Sequence, residues 1–242
     1  MRRLLPLLAL AALSAAGCQQ FFTYSVAKAV GLARPAETIT TLDASSASAF
    51  VQTLTADPDP ARAATAINAL ATLVSTDTTP SVIKDAASVA VIATGLDTAL
   101  TKALTSIDVQ ALMSGSGTPS TADLATLADI ISASAAAVTP QTAQIFEALA
   151  TSAAADPLAL AGTGIGTETF AVAAAALALN DMNTQTPPVL IADVINGTAT
   201  YTPDPALAPT LANLVSGASA VATAGGTAES PLLSTLQGFL HF

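Results

Sequence analysis

Thr118 to Thr139 reads TPSTADLATLADIISASAAAVT, and 84 residues further on Thr202 to Thr223 reads TPDPALAPTLANLVSGASAVAT. Both begin with Thr-Pro, an oxygen-bearing cap followed by a residue whose missing N–H costs nothing in the first helical turn. Both continue with apolar residues at helical spacing: Leu127 with Ile131 in the first, Leu211 with Val215 in the second. Nine of the 22 aligned positions are identical. Alanine matches carry little weight in so Ala-rich a chain, but the Thr-Pro entrances, Thr126/Thr210, Leu127/Leu211 and Ser132/Ser216 survive that discount.

The same punctuation recurs along the chain. Asp59-Pro60, Thr79-Pro80, Thr139-Pro140, Asp156-Pro157, Thr186-Pro187 and Ser230-Pro231 are further candidate helix starts. After Pro60, Ile67, Leu70, Ala71 and Val74 share a face; after Pro119, Leu124, Leu127, Ile131, Ala135 and Val138; after Pro140, Ile145, Leu149 and Ala153. Val82 to Ile92 leaves only a thin polar stripe of Ser81, Lys84, Asp85 and Ser88, and Phe170 to Leu179 has no polar residue. Both are too short to span a bilayer, so they are expected to be central buried helices. Val189-Leu190-Ile191 is the best strand-like run, and Ala192 to Ile195 continues it as helix.

These patterns predict an all-α fold of about five helical hairpins with an internal duplication, starting near residues 38, 80, 118, 167 and 203. A unit of two helices cannot bury its apolar face alone, so neighbours must stack. The tetratricopeptide and ankyrin signatures are missing. A compact bundle and a short solenoid-like stack both accommodate the duplication; abundant Ala, which permits close helix packing and leaves little bulk for a concave surface, favours the bundle.

Of the 242 residues 52% are hydrophobic, 10% charged and 4% aromatic, with one Cys, one His and no Trp. Such a composition excludes a disulfide scaffold, a Cys/His zinc site, a haem or iron–sulfur centre and a basic nucleic-acid binder. No cofactor or metal is therefore expected.

At the N-terminus, Met1, Arg2 and Arg3 precede an apolar stretch, Leu4 to Leu13, and a run of small residues ending at Cys18. This is the pattern of an export signal. The junction Leu13-Ser14-Ala15-Ala16-Gly17-Cys18 resembles the lipobox of bacterial lipoproteins, with Ala15 where that family most often has Leu. The resemblance covers only the first 18 residues. It implies that residues 1–17 are removed and that Cys18 becomes the first mature residue, carrying thioether-linked diacylglycerol and an N-acyl chain. Several acyl chains, at about 0.8 kcal/mol per buried methylene, make such an anchor stable. It also implies an envelope location, with Gln19 rather than Asp favouring the outer membrane. The organisation expected is a signal peptide at 1–17, a lipidated membrane-proximal segment at 18–37 and a single helical domain at 38–242. Phe21, Phe22 and Tyr24 suit either the membrane interface or the start of a first helix.

Without Arg2 and Arg3 the chain has five basic groups against 17 acids, a net charge of −12. Nothing after Lys102 is basic, whereas Asp108, Asp123, Asp129, Glu147, Asp156, Glu168, Asp181, Asp193, Asp204 and Glu229 follow. That surface repels nucleic acid and anionic headgroups.

Chemical motifs are sparse. Gly162-Thr163-Gly164-Ile165-Gly166 misses the dinucleotide spacing, because Thr167 takes the third Gly position, and no Lys follows as a phosphate loop needs. Asn196-Gly197-Thr198 matches a glycosylation sequon. His241 lies next to the C-terminal residue, and Asp57 with Asp59 suits helix capping better than acid–base work. The expectation is a non-enzymatic, lipid-anchored scaffold or binder of another envelope protein. A carrier of an apolar small molecule or lipid in a helical cavity is the alternative; an enzyme built from acids distant in sequence comes third.

Overall fold

The structure, a computed structural model, describes residues 39–96, 138–190, 193–194 and 198–225. They form eight α-helices: α1 Ala44–Ala56, α2 Pro60–Ala64, α3 Ile67–Thr76, α4 Pro80–Thr94, α5 Pro140–Ala155, α6 Pro157–Gly162, α7 Thr167–Thr184 and α8 Ala208–Gly225. The described residues contain no strand. None of their helices is long and apolar enough to cross a membrane.

Local chemistry sets where these helices begin. Asp43 accepts the Ser46 N–H at 2.8 Å while Ser46 Oγ accepts the Asp43 N–H at 3.0 Å, a reciprocal capping box for α1. Proline occupies the first turn of α2, α4, α5 and α6, as the Asp-Pro and Thr-Pro pairs require. Asp59 accepts from Ala61 and Arg62, Thr139 from Thr142, and Asp156 from Ala159. Thr79 makes no side-chain cap; its own N–H instead donates to Asp77 Oδ1 at 3.0 Å. At the other end of α4 the chain leaves through Gly95 at φ 63°, the left-handed conformation that glycine adopts without a Cβ penalty.

The Asp43 cap has a pH consequence. Its carboxyl is held at about 2 rather than 3.8, first by the Ser46 hydroxyl, then by the Ser46 N–H and the Ser45 hydroxyl. A folded-state value below the unfolded one contributes stability that is present above the unfolded value and lost as pH falls through the folded one. Asp43→Ala is therefore expected to lower the melting temperature of the full chain at neutral pH. The deficit should shrink between about pH 4 and pH 2, as followed by circular dichroism melts.

Two expected helix starts are corrected. Thr186-Pro187 lies in a bend after α7, because Pro188 follows and the residue before a proline is driven away from helical backbone. Thr202-Pro203 also fails to open a helix, since Asp204 precedes Pro205. Entry passes to Asp204: its Oδ1 accepts the Ala206 N–H at 2.7 Å, and its carbonyl accepts Leu207 and Ala208, after which α8 begins. Thr118-Pro119 and Ser230-Pro231 lie outside the described residues.

The stretch after Pro60 is likewise divided. Thr65 donates both its N–H and its hydroxyl to the Arg62 carbonyl, closing α2 after five residues, and α3 restarts at Ile67. Ile67, Leu70, Ala71 and Val74 are then all buried, on the face their spacing predicts. Val189-Leu190 is not strand; the Leu190 carbonyl accepts the N–H of Asp193 and of Val194 in a helical turn.

Packing centres on α4, which lies against α1, α2, α3, α5, α6 and α7. Its Val82, Ile83, Ala86, Ala87, Val89 and Ala90 are buried, as its apolar sequence predicts. Asp85 departs from that reading: grouped with the polar stripe in sequence, it is only 6% exposed, and Lys84 Nζ beside it donates to Oδ1 at 2.8 Å. Every residue of α7 from Phe170 to Leu179 is buried as well. Six of those ten are alanine, so neighbouring helices can approach closely.

Helix α8 packs on α5, α6 and α7. Leu211, Leu214, Gly217, Ala218, Val221 and Ala222 face inward. Val215, expected inward as the partner of Leu211, packs against the core but is only half-buried, as is Asn213; Leu214 beside it is fully buried. Gly217 marks the tightest approach, where a Cβ would lie 2.6 Å from Ala153 Cβ and 3.0 Å from Phe170 Cε1.

Candidate functional site

The apolar run of α7 ends at Asn180-Asp181, and Asp181 is where separated parts of the chain converge. Its Oδ2 accepts three donors: the Tyr201 hydroxyl at 2.8 Å, the Gln185 side-chain amide at 3.0 Å and the Asp204 N–H at 3.1 Å. Gln185 also donates to the Thr202 carbonyl at 2.9 Å. The last turn of α7 thus grips the residues that lead into α8.

Tyr201 is only 2% exposed. Burial is the main cause that pushes its phenol far above the ordinary value; its hydrogen bond to Asp181 and the charges of Asp181 and Asp204 act in the same direction. The phenol therefore stays protonated and serves as a donor to a carboxylate, a charge-assisted bond stronger than one between neutral groups. This arrangement is suited to holding chain segments together. A phenol so strongly raised is a poor nucleophile or base at neutral pH.

Several other described acids lie at helix ends or turns. Asp156 is the last contact of α5 and the first of α6: its N–H donates to Ser152, and its carboxylate accepts from Ala159. Asp193 accepts the Thr198 hydroxyl and N–H through its backbone carbonyl. The Asp59 carboxylate caps the start of α2, and Asp57 stands at the end of α1, where its backbone N–H donates to the Thr53 carbonyl. The Gly162 to Gly166 stretch is a tight connection rather than a cradle. Thr163 donates N–H and hydroxyl to the Leu160 carbonyl, Gly164 takes φ 75°, Ile165 is buried and Gly166 caps α7.

Among the described residues no group of three or more His, Cys, Asp and Glu side chains is placed to hold a metal ion. Cys18, Phe21, Phe22, Tyr24, Asn196, Gly197 and His241 lie outside the described residues, as do Asp108, Asp123, Asp129 and Glu229. The convergence at Asp181 is not visible in sequence. Its only trace is an acid just after the apolar run Phe170 to Leu179, followed at some distance by one of the chain's two tyrosines.

No protein-family model, curated protein or solved structure matches this chain.

Proposed function

We propose that the protein is a lipid-anchored component of a bacterial envelope, with a non-enzymatic scaffolding or partner-binding role. The observation that carries this reading is the junction Leu13-Ser14-Ala15-Ala16-Gly17-Cys18 behind a basic, then apolar, start. Cys18 is the residue acylated, and the anchor holds an acidic helical body at the membrane, on the outer membrane by virtue of Gln19. The use of Asp59, Asp156 and Asp204 as helix caps, and of Asp181 as a tie, supports a structural rather than a catalytic body.

The body is further proposed to be duplicated. The register that pairs Thr118–Thr139 with Thr202–Thr223 has its first partner outside the described residues. Helix order suggests a different register, with Asp59-Pro60 opposite Asp156-Pro157 and α4 opposite α8: α1, α2 and α3 all pack on α4, as α5, α6 and α7 all pack on α8. In each set the second helix is short, capped by Asp-Pro and closed by a Thr that donates twice to the carbonyl three residues back.

Cys18→Ser is expected to abolish acylation and move the protein from the membrane to the soluble fraction, because the acyl chains supply the attachment. Metabolic labelling with a fatty acid, followed by fractionation, measures both effects. Membrane retention of the unacylated variant would refute the anchor. The partner-binding role is tested by cross-linking and pull-down from detergent-solubilised envelopes; turnover of a defined substrate without a reproducible partner would overturn it.

A further inference from the structure

We propose that residues 198–207 form a strap that opens as a local unit, with the Asp181 carboxylate as its latch. The strap's apolar hold on the body is confined to the Tyr201 ring, buried in the core, and to half-buried Ala199 and Leu207 against it; Thr198, Thr200, Thr202, Asp204, Pro205 and Ala206 are exposed. Its backbone bonds are largely local, with Thr198 and Ala199 donating to Asp193, and Leu207 with Ala208 to Asp204. Pro203 and Pro205 have no N–H to contribute.

What reaches α7 is concentrated. Tyr201 Oη and the Asp204 N–H both donate to Asp181 Oδ2, and Gln185, bonded to that same oxygen, holds the Thr202 carbonyl. The helices of the body are built differently: α7 is buried along most of its length, α4 and α5 each bury a whole apolar face, and their backbone bonds lie inside the helices. A segment with exposed backbone and few buried groups opens at lower free energy than such a core. Two of these three ties end on one acceptor, and Gln185, which makes the third, is itself held by it, so losing that acceptor frees two ties and loosens the third. Opening bares Tyr201 and the last turn of α7 without unfolding the bundle.

Amide hydrogen exchange on the full chain, read by peptide mass spectrometry, tests this. In Asp181→Ala, which removes the acceptor, amides of residues 199–208 are expected to exchange at least about tenfold faster, while those of α4 and α5 keep their protection. Tyr201→Phe and Gln185→Ala should each reproduce part of the effect in the same peptides, and they decide the matter if Asp181→Ala does not fold. Equal acceleration in the strap and in α4 and α5 would mean one cooperative unit and overturn the proposal. Unchanged exchange in the strap would overturn it as well.

Discussion

Gly217→Leu is expected to be among the most destabilising substitutions in the described domain, and even Gly217→Ala should lower stability rather than raise it. In an unobstructed helix, replacing Gly by Ala gains about 1 kcal/mol, because it removes backbone freedom from the unfolded chain. At Gly217 that gain meets a steric obstacle. The new Cβ would lie 2.6 Å from Ala153 Cβ, which is fixed to the backbone of α5, and 3.0 Å from Phe170, whose ring is fully buried. Neither neighbour can turn aside as a flexible side-chain end could, so α8 must move off α5 and α7. Overpacking of this kind costs about 1–3 kcal/mol, and a Leu side chain adds three more carbons to the same space. Urea unfolding of Gly217→Ala, Gly217→Leu and the double variant Gly217→Ala/Ala153→Gly measures it. Partial rescue in the double variant is expected, because it restores the closest approach while leaving the Phe170 contact tight. An Ala variant as stable as the parent would show that α8 does not lie this close to α5.

Leu211→Asp should cost about 4 kcal/mol or more, enough to unfold a domain of ordinary stability. Leu211 is fully buried near the start of α8, where the helix enters its packing against α5, α6 and α7. The substitution combines two penalties. Apolar volume is lost from a packed site, and a carboxylate is placed where it must either stay ionised without a partner or bind a proton at the expense of stability. Leu211→Ala, expected to cost about 2–5 kcal/mol, separates the first penalty from the second. Circular dichroism and urea melts of both variants give the comparison. A Leu211→Asp protein with parental stability would place this leucine on the surface.

The contrast with Asp85 sharpens that expectation. A carboxylate on the central helix α4 is tolerated at 6% exposure with Lys84 as a neighbour and hydrogen-bond donor at 2.8 Å. No such cation is available in sequence near residue 211, since nothing after Lys102 is basic. Burial alone does not forbid an acid in this protein; burial without a partner does.

Much of the fold was legible in the residues themselves. Helix class, the Pro-marked starts of α2, α4, α5 and α6, the inward face of α3 and the burial of Phe170 to Leu179 all follow from local rules. A cap and a proline act within one helical turn, and an apolar stripe needs only helical periodicity to declare its face. Local reading failed where a second local constraint competed. Pro188 and Pro205 displaced the helix starts expected at Pro187 and Pro203, and Thr65 ended α2 before the apolar face after Pro60 began.

By itself, then, the sequence determined the helical class of this body, its acidic surface and a lipobox-like start, because composition, capping and periodicity act over a few residues. Only the tertiary structure decided that Gly217 is a contact point, that Asp85 lies inside, that Leu214 is buried more fully than Val215 and that Asp181 gathers Tyr201, Gln185 and Asp204. Each of these depends on which helix lies opposite. That is a matter of close packing between segments distant along the chain, and no single segment carries it.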